Sequence, residues 1–276
     1  EVPNFIACLS KIGGVSWKLI TTERSSKLST FTTLRSKLFL WFQRYSDYIV
    51  CNSYRAKKNW EKNAPVYSNK LSVIYNLIDN PQVNSQYTPI KNGRIHLVVA
   101  ASYQYLKNPI NVIKALSLLS DNDKKRILVN WYGRIEVSKN DTMAYDEAIR
   151  LIRINGLQNV IILNKESKSI SNIMNEADIV GLFSKLEGLP NSICEALIIG
   201  KPIIMTRVSD YSNLVDSSNG FLCDWDSPES IKKALIQVVN LSSEQLIEMG
   251  NSSRHKAQKI FNNEKNITKW IKIIEK

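Results

Sequence analysis

The chain has 276 residues, 43% hydrophobic and 22% charged, with a formal net charge of +12. That is enough apolar content for a real core in one large or two modest domains, and no apolar run approaches the ~18 residues that a membrane-spanning helix needs. The cations point to an anionic partner, and they are concentrated: residues 1–90 carry 12 Lys+Arg against 5 Asp+Glu.

The chain opens on Glu1 inside a helical pattern, EVPNFIACLSKI, with no signal peptide in view, and a natural N-terminal segment is expected before it. Strands are predicted at 17–21, 48–51, 71–75, 95–101, 127–132, 160–163, 179–183, 203–206 and 220–223, each a β-rich apolar run bounded by polar or turn residues. Helical patterns lie between them at 32–45, 54–62, 109–119, 143–154, 170–175, 190–199 and 228–239. Strand–helix alternation with near-continuous apolar strands predicts an α/β fold with parallel sheets covered on both faces. A polar stretch with two prolines at 79–93 reads as a linker. It divides the chain into a partial first domain (1–88), a fuller second domain (89–257) and a C-terminal helix (258–276) that could pack back on the first. On that helix Ile267, Trp270, Ile271 and Ile274 form one stripe. Cys8, Cys51, Cys194 and Cys223 are far apart and form no C-x-x-C pair, so reduced, buried thiols of a cytoplasmic protein are expected.

The stretch F-S-K-L-E-G-L-P-N-S-I-C-E-A-L at 183–197 carries the chemistry. Phe183 ends a predicted strand, Pro190 suits a first helical turn, and Gly200 followed by Pro202 stops the helix. Glu187 therefore lies in a loop at the carboxyl end of a strand, and Glu195 about one turn into the next helix. In an open parallel sheet ligands bind at that edge. The amides of Asn191, Ser192 and Ile193 at the helix start suit a phosphate. Two carboxylates beside phosphate make sense as acceptors for ribose and sugar hydroxyls; the competing reading is two ordinary solvated acids near a helix start.

The same residues resemble the E-x7-E signature of the family 4 retaining glycosyltransferases, which have the GT-B fold. Ala177-Asp178-Ile179-Val180 before it, Gly200-Lys201-Pro202-Ile203-Ile204 and Asn219-Gly220-Phe221-Leu222 after it, and the block at 72–79 occur in the family's order. The resemblance implies two Rossmann-like domains, of which the second holds a nucleotide-diphosphate sugar (a UDP- or GDP-sugar) and the first an acceptor, with transfer that retains anomeric configuration and needs no metal or other cofactor. It assigns Glu187 to the donor sugar, Glu195 to the ribose, and Gly188, Leu189, Pro190, Asn191 and Ser192 to the lining of the sugar and diphosphate. The family also carries an Arg and, five positions later, a Lys that neutralise the leaving diphosphate. Lys107 matches the Lys; Ser102 stands where the Arg would be, and Arg134, after Gly133 at the next strand end, is the candidate to supply the missing charge. At the end of the first predicted strand the family often has a His. Here Glu23 stands there with Arg24, so Glu23 is a candidate to orient or deprotonate an acceptor hydroxyl, or else a structural ion-pair partner. The family's Gly-rich loop in the first domain has no counterpart, since Gly13-Gly14 sits between a helix and a strand. With a shortened first domain, the chain is expected to bind donor but to transfer poorly or not at all.

Asp224-Trp225-Asp226 spells D-x-D, but Asp226-Ser227-Pro228 reads as a helix N-cap with Pro228 beginning the helix. Residues 33–48 form a basic, aromatic helix pattern: Leu34, Leu38, Trp41 and Tyr45 share a stripe, with Phe39 and Phe42 beside it. With Arg35, Lys37, Arg44, Arg55, Lys57, Lys58 and Lys62 nearby it fits either a core helix with a basic outer face or a peripheral contact with the anionic inner face of a membrane. No nucleic-acid-binding motif accompanies the charge. The expected function is sugar transfer to a glycan or lipid-linked acceptor in bacterial surface polysaccharide synthesis; a nucleotide-sugar epimerase and a donor-binding module without transfer are the alternatives.

Overall fold

The computed structural model of the chain describes residues 2–25, 28–78, 87–136 and 141–275. Two compact units form. One comprises the chain up to Leu77, the short segment Leu186–Pro190 and the stretch from Phe261; the other comprises Ile78–Lys185 and Asn191–Ile260.

The first unit is built on three parallel strands, β1 (Ile20–Glu23), β2 (Tyr48–Cys51) and β3 (Leu71–Val73), in that order. Alternation along β2 sends its side chains to two cores. Ile49 and Cys51 pack with Leu71 against Ala56 and Trp60 of the helix Tyr54–Asn63. Val50 packs with Ile74 against Ile273 of the helix Asn263–Glu275. The Lys18 ammonium donates to the Ile273 and Ile274 carbonyls at 3.3 and 2.7 Å, placing a cation at the negative end of that last helix. Its inward line is not the expected stripe. Asn266 and Ile273 are buried and Trp270 is half-buried, while Ile267, Ile271 and Ile274 are exposed.

Two other expectations shift in this unit. The strand predicted from residue 17 begins at Ile20, because Trp17 is exposed and the Leu19 amide is taken by the Asp47 carboxylate at 2.7 Å. The helix predicted over 32–45 breaks at Thr33, whose backbone is extended (ψ 148°). The Thr33 hydroxyl accepts from the Ser36 amide at 3.1 Å and so caps the helix Leu34–Phe42.

The second unit is a six-stranded parallel sheet: β4 (Ile95–Ala100), β5 (Ile127–Gly133), β6 (Ile161–Lys165), β7 (Ile179–Leu182), β8 (Ile203–Thr206) and β9 (Gly220–Cys223). Its spatial order is β6-β5-β4-β7-β8-β9. Every residue of β7 and β8 is buried, as a strand covered on both faces requires. Helices Pro109–Ser117, Met143–Ile154, Asn191–Ile198 and Pro228–Val239 lie close to the predicted bounds. Gly200 adopts φ 78°, the left-handed conformation that ends the helix before β8. The parallel, doubly wound arrangement matches the predicted fold class. Winding reverses between β4 and β7, so the carboxyl ends of these two strands flank the topological switch point, where such sheets bind ligands.

Most of the predicted linker, residues 79–86, lies outside the described residues. The chain beyond it is pinned to the amino edge of the sheet. The Tyr87 hydroxyl donates to the Asp178 carboxylate at 3.1 Å, the Ile90 and His96 amides donate to the same carboxylate, and the Lys201 ammonium lies 3.2 Å from the Tyr87 ring centroid. All four cysteines are buried and unbridged, as expected.

Candidate functional site

At the switch point β4 runs out through Ala101 and Ser102 into a short 3-10 turn, Tyr105–Lys107, and then a helix beginning at Pro109. Tyr103 fixes this exit. Its hydroxyl, buried, donates to the Trp131 and Asn164 carbonyls at 2.9 and 2.8 Å, and Trp131 Nε1 donates to the Ala101 carbonyl at 2.7 Å. Asn108 takes the left-handed conformation between turn and helix (φ 69°), which asparagine tolerates, and its side-chain amide donates to the Trp225 carbonyl at 2.7 Å. Asn111 donates to the same carbonyl at 3.1 Å.

A cleft of about 400 Å³ opens beside this exit. Ser102 lines it together with Gly133 and Arg134 at the end of β5 and Glu166 after β6. Two predicted binding residues, Gly133 and Arg134, are thus brought to one cleft with the position left vacant of charge, Ser102. Arg134 does not stand alone there: its guanidinium pairs with the Glu166 carboxylate at 3.3 Å, both side chains well exposed. Its charge is already partly balanced, which weakens it as the substitute for the expected Arg.

Across the switch point, the loop after β7 is tied to the loop after β4. The Lys185 amide donates to the Leu106 carbonyl at 2.9 Å, next to Lys107. Lys107 is half-buried, and Lys185 is exposed with its ammonium 4.6 Å from the Trp225 ring centroid. Sequence reasoning passed over Lys185. The available signal was its place two residues before Glu187 at a strand end, and only the strand order reveals that it meets the Lys107 loop.

Asn191 opens the next helix and Glu195, half-buried, lies one turn in. Burial, with the Glu195 and Asp210 carboxylates beside it, pushes the Cys194 thiol well above its ordinary range. The half-buried Glu187 and Gly188, with buried Leu189 and Pro190, belong to the first unit. There a β-carbon on Gly188 would fall 2.2 Å from the Arg24 carbonyl oxygen, so only glycine lets this segment lie against the end of β1.

Glu23, at that strand end, is 9% exposed. Its carboxylate accepts from the Ser25 amide at 2.9 Å, and the residue lines a cavity of about 20 Å³ with Asn4, Thr30, Gln43 and Trp60. That placement is inside the unit's own framework rather than on an open face. The D-x-D stretch is also settled locally. Asp224 pairs with Arg207 at 2.7 Å and accepts from the Ser230 hydroxyl at 3.2 Å. The following helix begins at Pro228 as predicted, and its cap is Ser227, whose hydroxyl accepts from the Ser230 amide at 3.1 Å.

The sheet is a doubly wound α/β architecture with a cleft and two lysine-bearing loops at its switch point, the place where such sheets bind ligands. The family model for glycosyl transferases group 1 matches residues 82–256, and the chain belongs to that family. Two uncharacterized glycosyltransferases of Methanocaldococcus jannaschii are similar to it. MJ1069 is 26% identical over 95% of this chain and 66% of its own length, and MJ1178 is 20% identical over 80% and 58%. The chain thus spans less than two thirds of either relative. Among solved structures, Anabaena Alr3699/HepE in complex with UDP superposes with TM-score 0.86 at 15% identity, covering 99% of this chain and 76% of that one. A point mutant of Staphylococcus aureus TarM in complex with Fondaparinux, alpha-GlcNAc-glycerol and UDP superposes with TM-score 0.82 at 14% identity, covering 97% and 53%. At these identities the likeness establishes the fold, which is of the GT-B type. Among the described residues no helix is long and apolar enough to cross a membrane.

Proposed function

We propose that this chain is the donor-binding and part of the acceptor-side portion of a retaining, metal-independent glycosyltransferase of the E-x7-E class. The observation that carries the reading is the position of Glu187 and Glu195 on either side of a turn that leaves β7 at the switch point and enters the helix Asn191–Ile198. The donor is a UDP- or GDP-sugar bound at the switch point beside the cleft lined by Ser102, Gly133 and Arg134. Glu195 accepts hydrogen bonds from the ribose hydroxyls and Glu187 from the donor sugar. Gly188, Leu189, Pro190, Asn191 and Ser192 line the sugar and diphosphate, with helix-start amides aimed at the phosphates. When the bond from the anomeric carbon to the diphosphate breaks, the electron pair stays on the phosphate oxygen. Lys107 stabilises the charge that develops there. Glu23 is the remaining candidate for the acceptor side, as a residue that shapes the end of β1.

The test is a thermal-shift screen of nucleotide-diphosphate sugars on the wild type and on Glu195→Ala. One class of donor is expected to raise the wild-type melting temperature, with a much smaller shift for the variant. A wild type that responds to no nucleotide sugar sinks the reading.

The acceptor is a glycan or lipid-linked glycan of a bacterial surface polysaccharide, met at the inner face of the membrane. What supports the membrane contact is the helix Leu34–Phe42, where Leu34 is 88% exposed and Leu38 and Trp41 about half exposed. Of the two readings of this basic helix, a core stripe does not fit such exposure. Arg44 sits 4.1 Å from the Trp41 ring centroid, and an apolar ridge rimmed by cations suits an anionic lipid surface.

A further inference from the structure

We propose that Lys185 is the second cation of the diphosphate site, acting with Lys107 in place of the arginine that Ser102 replaces. The inference rests on the donor-site reading above and adds a residue to it. A nucleoside diphosphate leaves with several negative charges, and one ammonium on a flexible stem balances only part of them. Arg134 and Arg207, at this edge of the second unit, are engaged with carboxylates: Arg134 with Glu166 and Arg207 with Asp224.

Lys185 is differently held. Its backbone amide bonds the Leu106 carbonyl, so the loops bearing Lys107 and Lys185 leave adjacent parallel strands and are joined across the switch point. Its ammonium rests over the Trp225 ring at 4.6 Å, and Trp225 is itself fixed by the Asn108 and Asn111 amides donating to its carbonyl. Asn108 directly follows Lys107, so one short turn positions both lysines. Over this half-buried aromatic face the ammonium is held only weakly. A phosphate oxygen offers a stronger, charge-assisted bond, so the ammonium transfers to the diphosphate when it arrives. Trp225 is a positioning residue in this scheme, and its role inside D-x-D is to hold a lysine.

The experiment is calorimetric titration of UDP, GDP and ADP, each beside its nucleoside, into wild type, Lys185→Met and Lys185→Arg, at low and moderate salt. For the nucleotide that binds, Lys185→Met is expected to weaken the diphosphate by roughly tenfold or more and to leave the nucleoside unchanged. It should also flatten the salt dependence, while Lys185→Arg restores most of both. Equal binding of the diphosphate by wild type and Lys185→Met overturns the inference, as does equal weakening of diphosphate and nucleoside. Failure of the wild type to bind any of the three diphosphates overturns the donor-site reading itself and this inference with it.

Discussion

Lys201 is 2% exposed, an ammonium that folding has removed from water. Burial lowers its pKa from the ordinary 10.5 to about 7; Asp178 opposes the shift, and Arg254 and Lys91 add to it. The unfolded chain therefore holds a proton at this position that the folded chain has lost, throughout the interval from about 7 up to 10.5. Stability from this residue rises with pH across that interval, and below it the full cost of a buried charge is present. The stability of the wild type relative to Lys201→Met, measured by denaturant unfolding, is expected to climb between about pH 7 and pH 10 and to be flat below about pH 6. A difference that stays constant over the whole range would show that Lys201 is solvated. In the sequence this residue is legible only as part of a stop signal, Gly-Lys-Pro. Its partners Tyr87 and Asp178 are far away in the chain and meet it only because three segments end at one edge of the sheet.

At the level of elements, Ser227 is the test of how sharply a helix is bounded. Its hydroxyl is the side-chain acceptor at the start of Pro228–Val239, a helix whose Ile231, Leu235 and Val238 enter the core. Ser227→Ala should lower stability by about 1 kcal/mol, measured by urea unfolding, with no effect on nucleotide affinity. The bounds of this helix were readable because Ser, Pro and an apolar period coincide. The same holds for the second-unit strands, whose unbroken apolar runs have no other use than a doubly covered sheet. The first unit was less readable. Thr33 splits an apparently continuous helix because a β-branched residue that can cap competes with one that can propagate. The C-terminal helix carries two plausible apolar lines, and only packing on Val50 and Ile74 selects the one through Trp270 and Ile273. For the candidate site, Glu187 and Glu195 stood out by their places around a predicted turn, and Lys107 only through the family resemblance. The ion pair that engages Arg134 and the meeting of Lys185 with the Lys107 loop depend on strand order, which local spacing does not contain.

For the whole molecule the asymmetry of charge matters most, since the first 90 residues hold a surplus of +7 out of +12. Vesicles containing anionic lipid are expected to co-sediment with the protein, and neutral vesicles to do so far less. Raising salt should weaken the contact as screening shortens to about 8 Å near physiological ionic strength. The double substitution Leu34→Glu, Trp41→Glu should abolish it without changing the thermal shift given by a nucleotide sugar. Unchanged sedimentation of that variant would remove the helix Leu34–Phe42 from the membrane contact.

The pairing of β4 with β7 has a consequence for how this site comes into being. Leu97 lies beside Ile179, and the His96 amide bonds an Asp178 carboxylate 82 residues further along the chain. The two walls of the crevice are therefore made at very different moments of synthesis. While the chain is growing, the Lys107 turn and the β5 and β6 ends exist long before the strand that must settle beside them. Closing that long loop is an entropic step that local helix formation cannot substitute for. On the proposed reading, donor recognition belongs to the completed sheet, and an amino-terminal fragment that stops short of β7 is expected to lack it.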